Sequence, residues 1–263
     1  MTTTTAIETV GLRVRHGVER VGDASHYVAD VMRAFGDVRT WGPEGATQAR
    51  RLGVDSMPIG MFIALFTGVV LALLASYSFT NAVPLYFVGT LVQKTITLEL
   101  APVLTGLALA GRVGANIAAE LGTMRVTEQI DALETLGYDP YAFLCAPRVL
   151  AGALMFPVVV AAAMLTGLGA GWLASIALLD ISSSEFVKGV RLFFDTFDAR
   201  YGLVKAASFG VAVTLIGCRM GLQTRGGAQG VGAAATSAVV FGAIAILILD
   251  AFWAVVWLLG HAR

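Results

Sequence analysis

The sequence predicts an all-α polytopic membrane protein: an N-terminal interfacial amphipathic helix, five transmembrane helices, and a short polar helix between the second and third spans. Three observations lead there. Of 263 residues, 57% are hydrophobic and 14% charged, where soluble domains carry roughly a quarter charged residues; the mean hydropathy is +0.77. Several apolar runs reach the ~20 residues that a bilayer crossing needs. Thirty glycines suit helices whose backbones approach closely in lipid. Eighteen basic residues balance eighteen acidic ones, so there is no basic domain to meet nucleic acid.

Residues 1–56 form a non-spanning amphipathic region. Ile7, Val10, Val14, Val18, Val21, Val28, Met32 and Phe35 recur at helical spacing, with charged residues between them, as in a helix lying in the membrane interface. No cleavable signal peptide is expected, because MTTTTAIE has neither a basic start nor an apolar run. Trp41 to Gly45 (WGPEG) reads as a turn. The remaining residues, 57–263, form the membrane domain. Its first span is expected at 57–79, with Pro58 in the first turn, where a missing N–H is harmless. The second is expected within 84–121, bent near Leu98 by Pro102. The third covers 149–179 with a kink at Pro157, the fourth 203–222 and the fifth 233–259. Phe186, Val190, Phe193, Phe197 and Tyr201 suggest a second interfacial helix, with Lys188, Arg191, Asp195, Asp198 and Arg200 on its wet side. The bias of Lys and Arg puts the N-terminus in the cytoplasm and the C-terminus outside.

Catalytic and metal chemistry find no foothold. There is no Walker A loop, no HExxH and no GxSxG, and the glycine-rich stretch 226–232 lacks a lysine and reads as a flexible turn. Cys145 and Cys218 are expected as buried, unpaired thiols. Charges at membrane depth stand out instead, since each costs about 2.5–3.5 kcal/mol on insertion scales. Glu99 and Asp250 both fall toward the outer leaflet and suggest a polar cavity lining; a structural ion pair or hydrogen bond is the alternative. Trp253 and Trp257 read as an interfacial aromatic anchor. Arg112 and Glu120 lie eight residues apart on one helix face, as a structural pair fixing the helix end. The short polar helix follows. Thr127 can cap it, Glu128 and Asp131 favour its N-terminal dipole, Ile130, Leu133 and Leu136 give it an apolar edge, and Gly137 with Pro140 stops it. An apolar edge on a helix too short to span calls for a protein partner or for packing on its own spans.

At these residues the chain resembles the MlaE/YrbE permease family of lipid ABC transporters. The resemblance is carried by ELAPVLT from Glu99, AGRVG from Ala110, and AELGTMRVTEQIDAL from Ala119 through Leu133. Asp139-Pro140, Pro147-Arg148, the Gly226–Gly232 stretch and Leu249-Asp250 continue it. It implies the transmembrane permease subunit of an ABC transporter, working as a homodimer and moving lipid between the inner membrane and an extracytoplasmic MCE-domain protein. Phospholipid is the implied substrate, as in the maintenance of outer-membrane lipid asymmetry. The localisation implied is multi-pass in the bacterial inner membrane. Residues 123–137 would be a cytoplasmic coupling helix docking on an ABC ATPase, with Thr127, Glu128, Gln129, Ile130, Asp131, Leu133 and Glu134 in the contact. A small STAS-domain subunit often accompanies that ATPase. ATP and magnesium would be held by the ATPase, leaving this chain without cofactor, metal or catalytic residue. Leu73, Leu74 and Tyr77, with Glu99 and Asp250, would line the lipid cavity. Many relatives carry Arg before the Glu, Gly where this chain has Ala101, and a first-span Gln where it has Leu74. A more apolar cavity follows, so import of sterols or fatty acids stands as an alternative substrate reading. A rival of another class is an intramembrane lipid-modifying enzyme built on Glu99 and Asp250.

Overall fold

The structure, a computed structural model, describes Glu19 and residues 22–79, 83–179 and 181–261, with side chains up to 256. The part of the N-terminal stripe before residue 22 therefore lies outside the described residues, as does the side chain of Trp257. Among the described residues every regular element is a helix. Five helical runs are long and apolar enough to cross a membrane: Val38–Ser78, Tyr86–Val126, Tyr141–Leu178, Thr196–Leu222 and Gly227–Val256.

Helix α1 (22–34) buries Tyr27, Val31 and Ala34 against the spans and leaves Val28 and Met32 exposed. The Tyr27 hydroxyl donates to the carbonyl of Leu215 at 3.0 Å, and burial pushes the phenol well above its ordinary pKa. It therefore acts as a neutral packing group and tethers α1 to the fourth span. The expected turn at Trp41–Gly45 is instead the interior of α2 (Val38–Leu52). Tertiary contacts override the local turn signal: Trp41 donates its indole N–H to Phe35 at 3.1 Å, and Gln48 and Leu52 are buried. Arg50 and Arg51 in the last turn complement the helix dipole. A 3₁₀ turn, Val54–Ser56, leads into α3 (Met57–Ser78), the first span.

The second span is one continuous run made of α4 (Tyr86–Thr95), α5 (Ala101–Leu109) and α6 (Ala115–Val126). Two π-helical turns, Ile96–Leu100 and Ala110–Gly114, join them. The distortion expected around Leu98 is the first of these turns, placed where Pro102 withholds its N–H. Next come α7 (Gln129–Thr135) and, after a further π turn at Tyr141–Cys145, α8 (Ala146–Leu178), which continues through Pro157.

Helix α9 (Ser183–Leu192) opens with a capping box between Ser182 and Glu185. It is shorter than expected, because Phe197 and Tyr201 belong to α10 (Thr196–Leu222). The fourth span starts seven residues before the expected 203 because Asp195 caps it, accepting from the Phe197 N–H at 2.9 Å. Asp198, expected on the wet side, is 1% exposed and pairs with Lys94. The glycine-rich stretch is likewise helical: α11 (Gly227–His261) begins inside it, with only Gly226 and Gly227 at positive φ.

Small residues set the helix crossings. Gly68 faces Gly167 between α3 and α8, and Gly152 faces Gly210 between α8 and α10; a Cβ on Gly68 or Gly210 would lie 2.0 or 2.2 Å from the opposing carbonyl oxygen. Around these contacts lie two apolar clusters. One includes Leu109, Phe156 and Phe209, the other Val92, Ile96 and Val160. Gln93 is fully buried, with neither amide atom meeting a protein partner. An unmade buried hydrogen bond costs about 1–3 kcal/mol, so Gln93→Met is expected to stabilise the detergent-solubilised protein by about 1–2 kcal/mol. A thermal melt checks this, and a lowered midpoint would mean that the amide has a role the packing does not reveal.

Candidate functional site

Proline at position 102 removes the N–H that would pair with the carbonyl of Leu98 in an α-helix. The first π turn opens around that carbonyl, and the freed oxygen accepts from Lys205 Nζ of α10 at 3.3 Å. The same ammonium donates to Glu99 Oε2 at 2.7 Å and makes an ion pair with Asp250 of α11. Glu99 and Asp250, expected as a pair, do converge, but through a cation between them. Lys205 has no exposed surface, whereas the Glu99 and Asp250 side chains are 44% and 25% exposed. One lysine against two carboxylates leaves the triad formally negative. Tyr201 lies over the ammonium, with Nζ 5.7 Å from the ring centroid. Trp253 packs edge-on to Tyr201 and donates to Ser208 at 2.9 Å, so it braces this site.

Sequence analysis does not single out Lys205, although it falls within the expected fourth span, 203–222. The signal was there: a lone lysine in YGLVKAASFGVAV, in a chain whose other spans hold two unmatched carboxylates. Gly202 lets α10 come close, since a Cβ there would sit 2.5 Å from the carbonyl oxygen of Thr97. Leu73, Leu74 and Tyr77 stand on the outward side of α3, with Tyr77 90% exposed. Any chamber they share with Glu99 needs a wall from beyond this single chain.

At the other end of the second span, Thr127 does not cap the short helix. Its hydroxyl turns back to the carbonyl of Thr123 at 2.8 Å, and Glu128, at φ 60, is the N-cap residue. A threonine ending one helix satisfies the nearest free carbonyl before it can serve the next helix. Gln129 donates to the Thr127 hydroxyl at 3.1 Å, and Arg125 pairs with Asp131, bracing α7 against α6. Ile130 is buried and Leu133 packs on the same core, so most of the apolar edge rests on the protein's own spans. Leu136, Glu128 and Glu134 remain exposed. At the C-terminus, Gly137 (φ 82) donates to Glu134 at 3.0 Å and Tyr138 to Leu133 at 3.1 Å, a Schellman closure.

The expected Arg112–Glu120 pair is replaced by others. Glu120 meets Arg148 at 3.1 Å and Arg51 at 3.6 Å, because α8 and α2 bring guanidinium groups to it across the bundle. Arg112 lines a cleft beside it. Cys145 and Cys218 are free and buried in one cluster with Tyr27.

Residues 46–256 match the family model described as Permease MlaE. The chain is 42% identical over 197 residues to a probable ABC transporter permease protein of Rickettsia prowazekii, covering 75% of this chain and 76% of that one. A probable ABC transporter permease protein of Synechocystis is 40% identical over 205 residues, covering 78% of each. The chloroplastic protein TRIGALACTOSYLDIACYLGLYCEROL 1 of Arabidopsis thaliana is 34% identical over 203 residues, covering 77% of this chain and 58% of that one. With five membrane-length helices, a family model matching most of its length and relatives of this kind, the chain belongs to the MlaE permease family and is a membrane-embedded permease component of an ABC transporter.

Proposed function

We propose that the permease moves a lipid, a phospholipid first of all, as one half of a homodimer in the bacterial inner membrane. Its N-terminus would lie in the cytoplasm and its C-terminus in the periplasm. The observation that carries this reading is the half-exposed Glu99, fixed by a fully buried Lys205 beside long apolar helix faces. An amphiphile needs that combination: an apolar wall for its chains and one anchored polar point for its head. Leu73, Leu74 and Tyr77 on the open side of α3 supply the wall, and a second copy would close it. The name of the Arabidopsis relative includes a glycerolipid, which supports a lipid substrate in the wider family.

In this reading α7 and the end of α6 dock on the ATPase, which binds ATP and magnesium; this chain holds no cofactor of its own. Closure of the ATPase pushes Glu128 to Glu134, and the second span yields at its π turns, changing the chamber beside Glu99. An MCE-domain protein would receive or deliver lipid on the outer side, and a STAS-domain subunit would sit on the ATPase. The test is purification from native membranes in mild detergent, followed by mass spectrometry of proteins and lipids. Recovery of an ATPase, an MCE-domain protein and bound phospholipid is the expected result. Recovery of sterol or fatty acid would move the substrate to that class, and absence of any ATPase would sink the transporter assembly.

Leu136 gives a sharper test of coupling. It is 73% exposed and contributes little to the core, so Leu136→Asp should leave the melting midpoint unchanged. A buried interface leucine is a contact whose truncation weakens association by about tenfold or more. ATPase retained on the variant at the wild-type level would remove Leu136 from the docking surface.

A further inference from the structure

About 20 Å along the second span from Glu99, counting ~1.5 Å per residue, α2 and α6 enclose a cleft of ≈ 230 Å³. Its polar lining is Gln48, Arg51, Asp55, Arg112, Asn116 and Glu120. The cleft sits at the junction where α2 gives way to α3, whose 22 residues span roughly the hydrocarbon thickness. That places it at the level of lipid head groups, whichever way the protein faces.

Three features mark it as built for a ligand. Gln48 is only 5% exposed, yet its amide makes no hydrogen bond among the described residues, although it lines the cleft. Arg112 likewise forms no ion pair there, while Glu120 is already held by Arg148 at 3.1 Å and Arg51 at 3.6 Å. Arg51 and Arg112 in the lining balance Asp55 and Glu120, and Arg148, which reaches Glu120 from outside the lining, adds one positive charge. The unmatched donors are the Arg112 guanidinium fork of the second π turn and the amides of Gln48 on α2 and Asn116 on α6. Such a set suits a tetrahedral oxyanion with several acceptor oxygens better than a planar carboxylate, which one guanidinium satisfies alone. We propose that this cleft binds a phosphate group, carried by a lipid head group or free in solution. The site lies away from the charge triad, and the inference stands whether or not lipid is the transported cargo.

The test uses the full chain in detergent, with native mass spectrometry of added phosphatidylglycerol, diacylglycerol of the same chains, and inorganic phosphate. Phosphatidylglycerol should be retained and diacylglycerol should not. Arg112→Gln and Asn116→Leu should each weaken phosphatidylglycerol binding by about tenfold, as loss of one charge-assisted or amide contact does. Their melting midpoints should match wild type, since neither residue is fully buried or ion-paired. Displacement by millimolar inorganic phosphate assigns the site to the free anion, and failure to displace assigns it to the lipid. Equal retention of the two lipids, unchanged binding in both variants, or a loss produced only by Lys205→Met would overturn the proposal.

Discussion

Lys205→Met is expected to stop transport and to destabilise the protein by about 3–5 kcal/mol, the range for removing one partner of a buried ion pair. Lys205 is fully buried and touches two carboxylates and the Leu98 carbonyl. Without it, Glu99 and Asp250, which are partly exposed, lose the cation that lies between them. The stability loss should therefore be reversible by removing charge rather than restoring it. Lys205→Met combined with Glu99→Gln and Asp250→Asn should recover most of the lost melting temperature. If the triad also anchors a head group, the triple variant should still fail to move lipid in proteoliposomes. Full transport by a restabilised triple variant would reduce the triad to a structural clip. Glu99→Gln alone should be milder, because Asp250 still compensates the lysine.

Gly210→Val is expected to prevent assembly of the bundle rather than to weaken it. The Cβ would stand 2.2 Å from the Gly152 carbonyl oxygen, 2.7 Å from its carbon and 2.9 Å from Phe156. The first two are backbone atoms of α8, so no side chain can swing aside; the helices must separate. Separation exposes Phe156 and Phe209, both fully buried, and forfeits close packing, which carries helix association in lipid. The expected readout is aggregation or degradation in place of a monodisperse peak, and an effect above the 4–5 kcal/mol that marks exceptional single substitutions. Gly169→Val, where a Cβ meets nothing within 4 Å, is the matched control and should behave like wild type. Identical behaviour of the two variants would mean that the α8–α10 crossing can open to admit a larger side chain.

Much of this was legible in the sequence because bilayer thickness and backbone hydrogen bonding leave few options. Apolar length alone found all five spans, and the Pro102 distortion followed from one missing N–H. Legibility failed where long-range contacts decided the outcome. The WGPEG segment looks like a turn until Trp41 meets Phe35 and Leu52 meets the core. Asp198 looks solvated until Lys94, more than a hundred residues away, reaches it. Arg112 and Glu120 do share a cleft, but spacing on one helix could not reveal that Arg51 and Arg148 would claim the glutamate. Lys205 was visible as a residue but not as the centre of the site, because its partners come from two other spans.

A π turn is an α-helical turn carrying one residue too many, and the second span contains two of them. Each surplus residue offsets the faces on either side of it by about 100°, one residue's share of a 3.6-residue turn. Glu99 therefore sits in a frame different from that of α4 above it, and Arg112 in a frame different from that of α6 below it. A single deletion within 96–98 would remove the surplus residue there, while Pro102 would still withhold its N–H. It would also swing everything on one side of the deletion by nearly a third of a rotation, taking Glu99 out of line with Lys205 while leaving both of those side chains in the chain. The second span behaves as three helical blocks whose angular settings are fixed by residue count, and a change in chain length there would re-index a whole face of the permease at once.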